Sequence, residues 1–479
     1  MSFAPKSLPE TALATVLAVL LTWLTFRDGP LLTFDGYHYV TFAKDFTHQW
    51  PDRFGNHWPF GWPFAGGLLA RAGVPAYLAL LFLALGSTVA LLFGTAVALG
   101  SHPQRRLVLI AIAAAPIVTP QLGGVLTELP FAVALIALGC FLAQWPRRGA
   151  LWAAAGCAVL AFTLRYAGLI ALAMIALHLV VQWRALRVAR RCGEAVAAWL
   201  AAMLVSLALL GWNVVQSGHA SGAGRGSPPG LIALPQEFAS FGWSAPSALL
   251  AGGLRDRIGP ASLVGWSIGA ICFSGIAGLC LWAWFKPRSD FSRPLAIVAF
   301  GYASGMSVLH CIGEFDALYN ARTFLPALAP LAILTAERLS GHRLVLFAGC
   351  GVVVASGMLA AGRGISREIG GDVRPAVTAL RPLLGATDTI AINDHAMSVA
   401  AYFSQATERI AAANWSEPPT RRFLVAAGKP TSRDGQGAIV PHEWRELADR
   451  LVTTTRYRYL IRESGLIVVE RTAPARAAP

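Results

Sequence analysis

Six ionisable residues stand where charge is costly. Asp35, Glu128, Arg165, Glu314, Asp316 and Arg322 each lie beside or within a long apolar run. A charge at the centre of a membrane helix costs about 2.5–3.5 kcal/mol on insertion scales, and less near its ends. Residues kept at that cost are functional candidates. Two carboxylates facing one cavity, Asp35 and Glu128, can divide the roles of base and orienter, or share a divalent cation such as Mg or Mn. Guanidinium forks match phosphate oxygens, so Arg165 in FTLRYAGLIAL and Arg322 in YNARTFLPALAP read as a phosphate clamp. His38, Tyr39, Tyr166, Glu314 and Asp316 are the candidate substrate-lining residues beside them.

Each also has a plainer reading. Asp35, in LLTFDGYHYVTFAKDF, could simply cap an interfacial helix whose tyrosines sit at headgroup depth. A cap position would also fix its carboxylate in space. Glu128, in VLTELPFAVALIALGC, is a first-turn acid favoured by the helix dipole. The arginines could snorkel to lipid headgroups. His38 has no second histidine at metal spacing near it, which makes it a polar surface position rather than a metal ligand.

The elements that carry these residues are membrane helices. Of 479 residues, 55% are hydrophobic and 13% charged, against roughly 25% charged in soluble proteins. Mean hydropathy is +0.55. Apolar runs of the length needed to cross about 30 Å of hydrocarbon recur along the chain. Their approximate cores are 10–27, 75–99, 107–122, 128–145, 151–164, 168–183, 195–215, 261–285, 294–311, 325–338 and 343–361, an expected eleven spans. The net charge of +14 collects in short loops between runs, as in Arg105 and Arg106, Arg190 and Arg191, and Arg338 and Arg343. That is the positive-inside pattern and argues against nucleic acid. The seven cysteines form no CxxC, so neither a disulfide framework nor a zinc site is implied.

With the basic loops cytoplasmic, the six candidates share the outer face. The outer loops are then 28–74, 216–260 and 312–324. SGHASGAGRGSPPG, which opens the second, reads as a mobile loop and not as a phosphate-binding fingerprint. Residues 1–362 are the membrane domain. From 363 to 479 helix patterns (374–386, 395–404, 441–453) alternate with strand patterns (387–393, 409–413, 422–428, 457–461, 466–470), predicting a small α/β domain outside the membrane.

Four segments together resemble the GT-C superfamily of polytopic glycosyltransferases, whose relatives include the protein O-mannosyltransferases and the lipid A aminoarabinose transferase. TFDGYHYVTFAKDF is similar to the family's first outer loop, with its acid and jaw helix. NHWPFGWPFAGGLLARAGVPAY resembles its aromatic-proline approach to the second span. LTELPFAVALIALGCFL and FTLRYAGLIAL resemble its acid-Pro and Arg-x-x-Gly stretches, and NARTFLPALAPLAILTAERL its late Arg–Pro–Pro span.

The resemblance implies transfer of a sugar from a polyprenyl-phosphate donor to a glycan, lipid or protein acceptor at the outer face of a bacterial inner membrane. It places the base role on Asp35 and the donor phosphate near Arg165 or Arg322. One departure bears on metal: many members carry an acidic pair where this chain has Asp35-Gly36. Two rival readings are a lipid-linked substrate transporter, and an O-antigen ligase-like enzyme using His219, Arg225, Arg255 and Arg257 of the second loop.

Overall fold

A computed structural model describes residues 7–27, 29–30, 32–48, 59–147, 149–217, 228–250, 262–313, 320–363, 372–385, 388–403, 405–415, 421–428, 438–454 and 457–472. All the expected apolar stretches are helical within it. They form α1 (Ser7–Thr25), α4 (Ala76–Leu99), α5 and α6 (Arg105–Ala114, Val118–Gly123), α7 (Glu128–Ala143), α8 (Ala150–Leu164), α9 (Leu169–Val181) and α11 (Cys192–Ser217, after the short α10, Trp183–Val188). The later ones are α13 (Leu263–Phe285), α14 (Ser292–Ile312), α15 (Leu325–Arg338) and α16 (Arg343–Arg363). Six of these helices, among the described residues, are long and apolar enough to cross a membrane, and the protein is a multi-pass membrane protein. The stretch expected as one span over 107–122 is broken. Pro116 pushes Ala115 into an extended conformation, ψ 130°, and the helix ends there.

The basic loops are tied together at one end of the bundle. Arg105 pairs with Glu10 at the start of α1, and Arg191 donates to the Pro146 carbonyl at 2.6 Å. Glu337, buried at the end of α15, accepts from Ser289 at 2.5 Å and Ser292 at 2.8 Å. A buried carboxylate satisfied by two hydroxyls clamps the α13–α14 turn.

The opposite end carries α2 (Phe34–His48) and α3 (Gly61–Arg71). These two lie flush because Gly67 faces Phe46, where a Cβ would come within 2.4 Å of its side chain. The same end holds α12 (Leu234–Leu249), a feature the sequence reading left inside the 216–260 loop. Its Phe241, Trp243 and Ala248 are buried. Gly242 meets Gly269 of α13 backbone to backbone: a Cβ on Gly242 would stand 2.0 Å from the Gly269 carbonyl oxygen. The mobile-loop reading falls largely on 218–227, outside the described residues, as do Glu314 and Asp316.

The tail holds one five-stranded sheet, ordered β2-β1-β3-β5-β4, from β1 (Thr389–Ile392), β2 (Ala406–Arg409), β3 (Arg421–Ala427), β4 (Tyr457–Arg462) and β5 (Leu466–Arg471). β1 runs parallel to β2 and β3, and β5 antiparallel to β3 and β4. α18 (His442–Thr454) packs Trp444, Leu447 and Leu451 against it.

Three sequence expectations shift. The helix expected to 386 is the short α17 (Arg374–Leu380), since Pro382 disfavours helix in the residue before it. Residues 394–401 form a 3-10 helix. The strand expected at 409–413 ends at Arg409, whose N–H is taken by the Tyr37 hydroxyl at 3.0 Å.

That bond is one of several docking the tail on α2. Tyr37 donates to the Thr407 carbonyl at 3.0 Å, Lys44 to the Gln405 carbonyl at 3.2 Å, and the Leu32 N–H to Ser398 at 3.0 Å.

Candidate active site

Asp35 is not the cap of its helix. α2 starts at Phe34, and the Thr33 hydroxyl accepts the Gly36 N–H at 3.3 Å. Asp35 therefore sits in the first turn, where the dipole favours a carboxylate. It reaches Arg322, whose Nη1 donates to Asp35 Oδ2.

Gly36 explains the missing second acid. A Cβ there would stand 2.5 Å from the Gly124 carbonyl oxygen, so α2 approaches the turn before α7 through a position with room for no side chain.

That turn is strained. Val125 has φ 52°, a rare conformation for a β-branched residue. It is fully buried, and Trp62 of α3 holds it by donating to its carbonyl at 2.8 Å. Such strain costs about 1–3 kcal/mol and persists where the surroundings over-determine it. Three residues later Glu128 opens α7. Its side chain is 3% exposed, against 20% for Asp35.

Two short turns supply the arginines. Arg165 is extended between α8 and a 3-10 turn at Tyr166–Gly168. Gly168 folds back on α8, where a Cβ would meet the Phe162 nitrogen at 2.3 Å, so the Arg-x-x-Gly spacing has a steric cause. Arg322 lies in a 3-10 turn (Ala321–Phe324) capped by Asn320, which accepts the Arg322 N–H at 3.3 Å.

The four charges converge. Glu128 Oε1 accepts from Arg165 Nη1 and lies 3.8 Å from Arg322 Nε. Arg165 also reaches the Thr127 hydroxyl at 3.4 Å, and the same hydroxyl meets Tyr39 at 3.4 Å. Burial opposes the charge on Arg165, but Glu128, Tyr39, Tyr302 and Asp35 together outweigh it and the guanidinium is held more strongly protonated than usual. Tyr39 is pushed up, first by burial and then by Asp35, so it stays a neutral donor. Tyr302, buried on α14, lies within electrostatic range of Arg165, Glu128 and Arg322.

Asp35, Glu128, Arg165, Arg322 and Tyr39 thus come together. His38 does not join them: its ring packs edge-on or tilted against Phe34, Tyr37 and Phe42. The Tyr166 hydroxyl turns away to accept from Asn213 of α11 at 3.0 Å. Sequence reasoning missed Thr127, Tyr302 and a further close approach, Glu237 of α12 to the His310 ring of α14 at 3.1 Å. A neutral polar residue in an apolar run reads as core, so only the unbroken acid-arginine pattern pointed to this place.

Asp35 and Glu128 are also the acids that a shared cation would need. Arg322 stands between them, so a divalent ion there must displace a guanidinium. Among the described residues no three His, Cys, Asp or Glu side chains converge. As arranged, the pair does not fit a metal.

A cavity of about 450 Å³ runs along α15 from Phe324 to Leu339, between α5, α13 and α16. Its lining is apolar apart from Thr335 and Cys350, and one end lies two residues from Arg322.

No protein-family model and no curated protein matches the sequence. Solved structures do match the fold. ArnT from Cupriavidus metallidurans, bound to undecaprenyl phosphate, aligns with TM-score 0.58 and 13% identity over 98% of this chain and 99% of that one. The Archaeoglobus fulgidus oligosaccharyltransferase in its apo form aligns with TM-score 0.51 and 13% identity over 89% of this chain and 70% of that one. The same enzyme in complex with Zn and sulfate gives TM-score 0.50 and 13% identity, over 87% and 68%. The convergent acid-arginine site at the tail end of the bundle is therefore carried on the fold that this chain shares with ArnT and the Archaeoglobus fulgidus oligosaccharyltransferase.

Proposed function

We propose that the protein is a membrane glycosyltransferase that moves a sugar from a polyprenyl-phosphate donor to an acceptor hydroxyl, at the outer face of a bacterial inner membrane. The carrying observation is that Arg322 holds Asp35, while an apolar cavity along α15 begins at Phe324, two residues on in the chain. A prenyl chain suits the cavity, and its phosphate then falls to Arg322 and Arg165. Undecaprenyl phosphate in the ArnT structure supports that choice of lipid.

Exposure divides the acids. Asp35 is open enough to meet an acceptor, and takes the hydroxyl proton. Glu128 is buried behind both guanidiniums and orients them. The acceptor oxygen bonds to the anomeric carbon as the carbon–oxygen bond to phosphate breaks, and the electron pair leaves on the phosphate. Arg322 and Arg165 stabilise that charge, the kind of electrostatic contribution that is often the largest. Attack opposite the leaving phosphate inverts the anomeric centre. Donor phosphate also competes with Asp35 for Arg322. Binding the donor therefore loosens the ion pair and makes Asp35 a better base when it is needed.

The test is transfer of radiolabelled sugar from a panel of polyprenyl-phosphate sugars into membranes, with and without EDTA. Transfer from at least one donor, unaffected by EDTA, supports the reading. Failure with every donor, alongside uptake of a lipid-linked substrate into vesicles, supports a transporter instead.

A further inference from the structure

Positive charge on a membrane protein concentrates on one side, and here the basic loops fill the end away from the tail. Some arginines lie on the tail side instead. Arg27 follows α1 and Arg363 closes α16, two helices that pack together through Leu21 and Ala361. Both end on the tail side. Trp23, in the last turn of α1, is 64% exposed, as expected of an aromatic at the membrane–water interface.

Arg374 and Arg381 lie on α17 and its C-terminal cap. With Val377 and Thr378 between them at helical spacing, they share one side of the helix. That side faces a cavity of about 460 Å³ completed by Pro382 and Tyr402. The cavity sits at the end of α1. The Tyr402 hydroxyl rests on Gly29, where a Cβ would come within 2.2 Å of it.

Two guanidiniums therefore share this cavity with the apolar Val377, Pro382 and Tyr402 ring. Asp372 grips Arg374 through Nε and Nη2, at 2.9 and 2.6 Å, and fixes its direction. Arg381 makes no ion pair among the described residues.

We propose that this cavity binds the phosphate of an anionic phospholipid from the adjoining leaflet, and so seats the tail on the bilayer. Guanidinium pairs suit phosphate oxygens. Val377, Pro382 and the Tyr402 ring suit the glycerol and first acyl carbons, which a free phosphate ion lacks. The site is separate from the Asp35 centre and does not depend on the reaction assigned to it.

The full chain, reconstituted in phosphatidylcholine nanodiscs containing phosphatidylglycerol, is examined by native mass spectrometry. Arg374→Gln/Arg381→Gln is expected to retain on the order of tenfold less phosphatidylglycerol than wild type. Arg293→Gln/Arg343→Gln, the same charge change at the other end of the bundle, is expected to retain it fully, and millimolar inorganic phosphate not to displace it. Equal retention by wild type and the tail-side variant overturns the proposal. So does displacement by inorganic phosphate, which would show an anion site indifferent to lipid. Arg381→Gln alone, an exposed substitution, gives the same reading if the double variant misfolds.

Discussion

At the scale of single residues, Arg322 links the two acids: it binds Asp35 and lies 3.8 Å from Glu128. Losing a hydrogen bond to a charged group costs about 1.5–3 kcal/mol. Arg322→Gln is therefore expected to weaken undecaprenyl phosphate binding by roughly 10- to 100-fold, measured by lipid retention on the purified protein. Wild-type retention in that variant would remove Arg322 from the phosphate site. The acids and arginines were legible in the sequence because charge beside hydrocarbon stands out. Thr127 and Tyr302 were not, because a hydroxyl within an apolar run has no such contrast. The expectation that Asp35 caps its own helix gave way to Thr33 two residues earlier, since either residue type can cap.

At the scale of elements, the site depends on close approaches that only glycine permits. Gly36 lets α2 reach the turn before α7. Gly36→Ala is expected to push the two apart and lower transfer at least as much as it lowers stability; a variant with full turnover and an unchanged melting temperature would contradict that. Trp62 holds the strained Val125 turn through one hydrogen bond, worth about 0.5–1.5 kcal/mol. Trp62→Phe should lower thermal stability by that order, read by the melting temperature in detergent; no shift would mean the bond does not hold the turn. The apolar runs were legible as helices from length and composition. α12 was not. LPQEFASFGWSAPSAL carries the Gly, Ser and Pro that lower helix propensity, and its small residues are what allow Gly242 and Gly269 to touch.

At the scale of the whole molecule, the tail rests on α2, the helix that carries Asp35, so tail and site are mechanically joined. Lys44 lies in that seam. Burial pushes its amine down to about 7, with Asp45 acting weakly the other way. Between about pH 7 and the ordinary lysine value of 10.5, the unfolded chain holds a proton that the folded chain lacks. Stability therefore rises with pH across that window. The melting temperature of wild type should climb more between pH 6 and 9 than that of Lys44→Met; parallel profiles would show that Lys44 is not neutral in the seam. The α/β character of the tail was legible from alternating patterns, whereas its docking was not, because contacts such as Tyr37 with Thr407 join residues 370 positions apart. The proposed mechanism turns on Asp35 taking the acceptor proton. General-base help contributes about 10²–10⁴-fold. The most direct test compares wild type and Asp35→Asn for sugar transfer from the active polyprenyl-phosphate donor, with donor binding measured on the same samples. Asp35→Asn is expected to lose transfer by about that factor with donor binding retained; near-normal turnover would rule out Asp35 as the base.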